Sequence, residues 1–332
     1  MIRVFANANY DFIRLRHWAY GLTAAIIVPG LILILATGLN YSIEFTGGTL
    51  VEVTMRQASS SGAIRSALDR GGLHNAEIQQ FGSPTEYVIR ARLSAVEAVS
   101  QREAERTSAE VSAALTSAFG ANSFTVERVE AVGPKVGGEL RQKAISAILL
   151  SFLATLVYLA FRFEFRFGIA AVLATAHDIL TTLAFIKYMN LEVSLVVVAA
   201  ILTVVGYSLN DTIIIFDRVR ENLHKFKRHD LEGILNRSIN ETLPRSVLTH
   251  GTTMVTTMAL LIFAGEVIRP FAWVMTFGIF TGTFSSVYIA SPILLGIEKR
   301  WPGKDARGVR ARVAEAARGG ASRPPRELAT RP

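Results

Sequence analysis

Asp211 stands in the run VVGYSLNDTIIIF, residues 204–216, where nearly every neighbour is apolar. A charge at the centre of a membrane span costs roughly 2.5–3.5 kcal/mol on insertion scales, so such residues are rare and usually mark an ion or proton route. Its side chain is too short to snorkel to water. Asn210 precedes it, and Tyr207 and Ser208 lie one helical turn earlier, from where both are expected to approach the carboxylate. Burial raises a carboxyl pKa and a nearby cation lowers it. A carboxylate balanced between the two can load and release a proton. The competing reading is a permanently protonated Asp that ties helices together.

Two further groups have the same character. His177 and Asp178 are adjacent inside AVLATAHDILTTLAF, residues 171–185, as a second candidate relay or a hydrogen-bonded packing pair. Arg245 is read as opening the next span, after Pro244, a residue tolerated at a helix start. Below it Thr249, Thr252, Thr253, Thr256 and Thr257 recur at i, i+3, i+4, i+7 and i+8. That spacing puts them on one helical face in line with the Arg. A Thr stripe alone is commonly packing glue. Beneath an Arg, in a bundle that also holds Asp211, it is better read as one wall of a hydrated path. His250 is one residue off the stripe and titrates near neutral pH in an ordinary setting. Asp217, Arg218, Arg220 and Glu221 read as interfacial anchors, and Gly278, Gly282 and Ser286 as small residues for close helix packing.

These groups need helices that cross a membrane. Half of the 332 residues are hydrophobic and 19% are charged, against about 25% in a soluble domain; the mean hydropathy is +0.35. The apolar residues fall in blocks long enough to cross a hydrocarbon core about 30 Å thick. The spacing predicts six spans: 18–38, then about 142–161, 167–188, 193–216, 245–264 and 271–296. The first is too long and too poorly flanked to be a cleaved signal peptide. Lys and Arg cluster at span ends and in the tail, so the net charge of +8 reads as membrane topology and not as nucleic-acid binding. With both termini cytoplasmic, residues 1–17, the loop 162–166, the loop 217–244 and the tail 297–332 all fall on one side, and the weakly basic loops fall on the other. The tail, with Gly319-Gly320 and Arg323-Pro324-Pro325, reads as a disordered segment.

Residues 39–139 break the apolar pattern. Leu50, Glu52 and Thr54 alternate with Val51, Val53 and Met55 as in a strand. SSGAIRSALDR reads as a short helix, AEIQQFG and TEYVIRAR as two strands, SAVEAVSQREAERTSAEVSAALTSAF as a helix and SFTVERVEAV as a last strand. The order β-α-β-β-α-β predicts a small ferredoxin-like α+β domain, inserted after the first span and held outside the bilayer on the periplasmic side. There is no cysteine, no G-x-x-x-x-G-K-S/T loop and no Cys/His cluster, which disfavours thiolate chemistry, an ATPase and a metalloenzyme.

Several segments resemble SecF, of the SecD/SecF branch of the RND superfamily. NYSIEFTGGTLVEV is similar to that family's signature after the first span, with Glu44 where Asp is usual. VGPKVGGEL, AHDILTT, GYSLNDTIIIFDRVREN and SINETLPRSVLTHGTT match further motifs, the third being the most distinctive; His250 stands where Ser is usual. The resemblance covers about residues 10–298. It implies an RND-type bundle, no enzymatic activity and no cofactor beyond the coupling ion, a proton or Na⁺. It implies that Asp211, Arg245 and Thr249 belong to a proton pathway, next to which Asn210, Asp178 and His177 stand as candidates from the residues themselves. It further implies a SecD-like subunit, the SecYEG channel, SecA, YidC and YajC as partners, and unfolded secretory polypeptide as substrate at the bacterial inner membrane. An RND-type exporter of small molecules or lipids, or a purely structural subunit, are the other readings. A single six-span unit without a visible repeat needs a partner half in either transport reading.

Overall fold

The computed structural model describes residues 5, 8–74, 76–80, 82–91, 101–162, 164–226, 230–265 and 267–301. The expected tail and the first part of the helix at 94–119 lie largely outside these. Six helices are long and apolar enough to cross a membrane: Ile13–Thr37, Lys135–Leu159, Phe165–Tyr188, Leu195–Lys225, Leu231–Phe263 and Arg269–Arg300.

The first comprises a 3₁₀ turn, Ile13–Leu15, and α1, Arg16–Thr37. Gly38, at φ 69°, ends it with an N–H to the Ile34 carbonyl, the left-handed step at which glycine carries no Cβ penalty. A short helix α2, Ile43–Thr46, follows. Gly47 and Gly48 then turn the chain into β1, Gly48–Met55, with φ of 74° and 128°. A Cβ on Gly48 would meet the Ala91 carbonyl oxygen at 2.9 Å. Gly48 is therefore required twice, for its dihedrals and for its closeness, and Gly47 for its dihedrals.

The sheet domain continues with α3 (Ser61–Arg70), β2 (Glu77–Gln80), β3 (Glu86–Ala91), α4 (Gln101–Phe119) and β4 (Phe124–Val132). Its four strands run in the order β2-β3-β1-β4, every pairing antiparallel. The split β-α-β arrangement is that of a ferredoxin-like domain. The alternation in β1 separates two faces. Val51, Val53 and Met55 pack with Ile64, Leu68, Val111 and Leu115 of the helices, and Leu50 packs with Ile43, Val88 and Val132. Arg90 lies on the latter face, opposite Leu50 in the register. It pairs with Glu192 in the loop between two spans and lies 3.8 Å from Glu77. Burial pushes the Glu192 carboxyl up from its ordinary range against the pull of Arg90. Backbone bonds from Ser42 N to Val193 O (3.0 Å) and from Val193 N to Asn40 O (2.7 Å) add to this docking.

The bundle follows as α5 (Pro134–Arg162), α6 (Phe165–Tyr188), α7 (Leu195–Lys225), α8 (Leu231–Phe263), α9 (Arg269–Ser285), a π turn (Ser286–Ala290) and α10 (Ser291–Arg300). Ser194 and Asp230 cap α7 and α8 through Val197 N and Gly233 N. Residues 217–244, expected as a loop, are mostly helical: α7 runs on to Lys225 and α8 begins at Leu231. Hydropathy marks where a lipid-compatible surface ends, and the helices continue past that point on charge pairing. Arg218 donates to Glu241 at 2.6 Å, Arg237 to Glu241 at 2.8 Å, and Lys225 to Glu221 at 2.5 Å. Pro244 is accordingly inside α8 and not at its start.

The buried apolar residues of the bundle form two clusters. One holds Phe167, Ala174, Phe216, Leu235 and Leu294, and the other Ile186, Val197, Ile201, Val204 and Val274. Buried polar residues occur on four helices of the same bundle: Asp178 and Thr182 on α6, Ser208, Asp211 and Thr212 on α7, Ser246 and His250 on α8, and Ser285 on α9, with Ser286 opening the π turn. Hydrogen bonds from helix to helix join several of them into a polar layer within an apolar bundle.

Candidate proton-binding layer

Asp178 and Asp211 are the centres of this layer, 0% and 2% exposed. Ser246 of α8 donates its hydroxyl to Asp211 Oδ1 at 2.5 Å. Asp211 Oδ2 is buried and has no hydrogen-bond partner among the described residues. Asp178 Oδ2 accepts from Ser208 Oγ at 2.5 Å and from Ser285 Oγ at 2.8 Å, and its Oδ1 lies 3.0 Å from His177 Nδ1. Hydrogen bonds to the ionised form of a carboxylate favour it, whereas burial opposes it.

The hydroxyls one turn before Asp211 do not turn to it, contrary to expectation. Ser208 reaches across to Asp178 on α6. Tyr207 reaches α8, 2.6 Å from Thr253 Oγ1 and donating to the Thr249 carbonyl at 3.0 Å. Helical side chains lean toward the preceding turn, and here the interhelical acceptors lie closer than the carboxylate on the same helix. The neighbour of Asp211 is instead Ser246, a residue that sequence reasoning passed over although it adjoins Arg245. His250, buried on the inner face of α8, packs its ring 5.3 Å from that of Tyr207.

Arg245, Thr249, Thr252 and Thr256 are exposed, Thr253 is half-buried, and only Thr257 of the stripe is buried. The stripe is an outer face of the chain and not a wall enclosed by its own helices. Most of its hydroxyls are returned to the helix: Thr252 and Thr253 to the Thr249 carbonyl, Thr256 to that of Thr252, Thr257 to that of Met254. On α7 the adjoining face is open as well, with Thr203, Gly206 and Asn210 exposed. The described residues show no ion pair between Arg245 and Asp211. Of the six candidate residues, the structure brings His177 and Asp178 together inside the bundle, places Asp211 in the same layer, and sets Asn210, Arg245 and Thr249 on the open face beside them.

Gly278 and Gly282 explain how α9 comes so close. A Cβ on Gly278 would lie 2.3 Å from Val204 Cγ2, and one on Gly282 2.9 Å from Ser208 Cβ. Their packing role, read from spacing, is what presses Ser208 toward Asp178. Ser285 and Ser286 then do more than pack, since Ser285 bonds Asp178 and Ser286 Oγ lies 3.0 Å from Thr212 Oγ1.

Six apolar helices around buried acidic residues, with an α+β domain inserted after the first, define a multi-pass membrane protein. The profile of the protein export membrane protein SecD/SecF C-terminal region matches residues 111–300, and that of the SecD/SecF GG motif matches residues 32–59, which contain Gly47-Gly48. The chain is 57% identical to protein translocase subunit SecF of Gemmatimonas aurantiaca, over 94% of this chain and 95% of that one. It is 35% identical to protein translocase subunit SecF of Escherichia coli O157:H7, over 86% and 87%. Its fold matches the crystal structure of SecDF, a translocon-associated membrane protein from Thermus thermophilus, with a TM-score of 0.79 and 34% identity. The match covers 89% of this chain and 39% of that longer one. A second SecDF structure, in a super-membrane-facing form, matches with a TM-score of 0.64 and 33% identity, over 96% of this chain and 41% of that one. The chain belongs to the SecF family of SecD/SecF protein-export membrane proteins.

Proposed function

We propose that this chain is the SecF-type subunit of the Sec translocase, and that with a SecD-like partner it uses the proton motive force to promote protein translocation across the bacterial inner membrane. One observation carries the reading: a buried carboxylate, Asp211, stands beside a span face on which Arg245 and three Thr residues are exposed. An Arg facing hydrocarbon is costly, so this face calls for cover by other spans, and a six-span SecD half supplies the cover that a lone half lacks. The SecDF chain, of which this one matches 39%, supports that choice of partner.

In this reading protons pass between the covered face of Arg245, Thr249 and Asn210 and the inner layer of Asp211, Asp178 and His177. Moving one charge through 100 mV is worth about 2.3 kcal/mol. Asp211 makes use of it by alternating between charged and neutral forms; Na⁺ in place of the proton would act on the same carboxylates. Residues 39–139 are periplasmic and meet emerging unfolded polypeptide, while both termini, residues 217–244 and the tail 297–332 are cytoplasmic. SecYEG, SecA, YidC and YajC are the further partners of this assignment. The subunit works by conformational coupling and not by enzymatic turnover.

The test is precursor translocation into inverted membrane vesicles with and without an imposed proton gradient. Asp211→Asn, nearly isosteric but unable to ionise, abolishes the gradient-dependent part while co-purification with the SecD-like chain is retained. Asp211→Glu keeps a measurable part of it. Export by Asp211→Asn equal to wild type under a gradient sinks the proton reading.

A further inference from the structure

The two buried carboxylates are on different helices, yet their surroundings meet at two consecutive residues. Ser285 closes α9 and Ser286 opens the π turn. Successive residues on a helix point about 100° apart, as 3.6 residues per turn requires, so one position on one helix can serve two neighbours. Ser285 donates to Asp178 of α6 at 2.8 Å. Ser286 shares a hydrogen bond with Thr212 of α7 at 3.0 Å, directly after Asp211 in sequence. Ser208, three residues before Asp211, crosses in the other direction and donates to Asp178 at 2.5 Å. The helix widens here into the π turn Ser286–Ala290, and Ser291 Oγ donates to the Ser286 carbonyl at 3.1 Å. Single π turns inside α-helices recur at functional sites.

The two carboxylates differ in their hydrogen bonding. Among the described residues, Asp211 Oδ2 is buried without a hydrogen-bond partner within bonding distance. Asp178, by contrast, has two hydroxyl donors on one oxygen, and protonating that oxygen turns an acceptor into a donor. At least one of Ser208 and Ser285 must then turn its hydroxyl from donor to acceptor or let go of that oxygen. Ser208 belongs to α7, the helix that carries Asp211, so its rearrangement reaches that helix directly.

We propose that Ser285 and Ser286 are positioning residues that join Asp178 and Asp211 into one proton-responsive unit, so that the protonation of Asp178 is felt at Asp211 through the π turn and Ser208. The proposal rests on the proton reading above and adds to it a second carboxylate and the device that couples the two. Among the described residues, the charged and titratable groups of this surrounding are His177 on α6, Tyr207 and Asp211 on α7, and His250 and Arg245 on α8. The side of α9 that meets the carboxylates presents Ser285, and Tyr288 of the π turn packs against Phe12 and Phe284 instead. Beyond Tyr20, α1 carries no titratable side chain.

The experiment uses the full chain assembled with its SecD-like partner, and reads both infrared difference spectra and export. Carboxylic C=O bands are assigned by their loss in Asp178→Asn and in Asp211→Asn. In Ser285→Ala the Asp178 band moves to higher frequency, having lost a donor, and the Asp211 band moves with it. Ser286→Ala moves the Asp211 band. Each lowers gradient-dependent export by at least about fivefold, the scale of a typical coupling between sites. The double variant loses no more than the worse single one, because residues that act as a unit are not additive. Ser285→Thr, which restores the hydroxyl, recovers both band position and export. If Ser285→Ala moves only the Asp178 band, or if the two losses multiply, the carboxylates are independent and the proposal fails. The loss of gradient dependence in Asp211→Asn would still stand, which separates that failure from failure of the proton reading.

Discussion

Gly278 and Ser246 show how much a single small side chain decides in this bundle. A methyl at Gly278 would come within 2.3 Å of Val204, a branched and stiff residue. Gly278→Ala is therefore expected to lower the stability of the detergent-solubilised protein by about 1–3 kcal/mol, the usual cost of overpacking a filled core. The measurement is thermal or denaturant unfolding, with Gly296→Ala as control, since a Cβ there meets nothing within 4 Å. Ser246→Ala removes the hydrogen bond that Asp211 Oδ1 accepts from α8. It is expected to impair gradient-dependent export more than it impairs folding, and Ser246→Thr is expected to restore part of the loss. Equal export by Ser246→Ala and wild type would remove Ser246 from the site.

At the scale of elements, two contacts carry distinct expectations. Arg90 on β3 is 5% exposed and clamps the loop between α6 and α7 through Glu192. Removing one partner of a fully buried pair costs roughly 3–5 kcal/mol. Glu192 keeps some exposure and Glu77 stands nearby, so Glu192→Ala is expected to cost less, about 1–3 kcal/mol. Faster hydrogen exchange in β2 and β3, with the bundle unaffected, is the expected reading. Unchanged exchange would show that the backbone bonds at Val193 hold the domain by themselves. The second contact is the open face of α7 and α8. Gly206 and Gly251 have nothing within 4 Å of an added Cβ. Gly251→Leu should therefore leave the isolated chain as stable as wild type, or slightly more so through helix propensity, and yet weaken co-purification with the SecD-like chain. Normal assembly by that variant would place the partner elsewhere.

For the whole molecule the proposed orientation is testable because the chain has no cysteine to remove. A single Cys at position 122, on the exposed turn before β4, should react with a membrane-impermeant thiol reagent in intact spheroplasts. A Cys at position 220, exposed on the extension of α7, should react only after permeabilisation. The reverse pattern, or equal labelling, would overturn the topology. The charge pattern behind this expectation is one-sided: Arg218, Arg220, Lys225 and Arg237 are at the same end as Arg16, Arg166, Lys299 and Arg300.

The sequence alone determined the six crossings, because each needs about 20 apolar residues in a row and nothing distant. It also determined the sheet domain, since the period-two alternation of Val51, Val53 and Met55 and the glycine turns are local signals. Asp178, His177, Asp211 and Arg245 were visible as groups that a membrane does not tolerate without reason. What tertiary structure decided was who faces whom. Whether Ser208 serves Asp211 on its own helix or Asp178 on the next depends on how closely α9 presses on α7, which two glycines set at a distance of some 70 residues. Whether the Thr stripe turns inward or outward depends on the rotation of α8, and a stripe has the same spacing either way. The helical continuation through residues 217–225 and 231–244 carries ion pairs within each helix and, from Arg218 to Glu241, between the two, which hydropathy does not record. Spacing gives the face of a helix; only packing gives its partner.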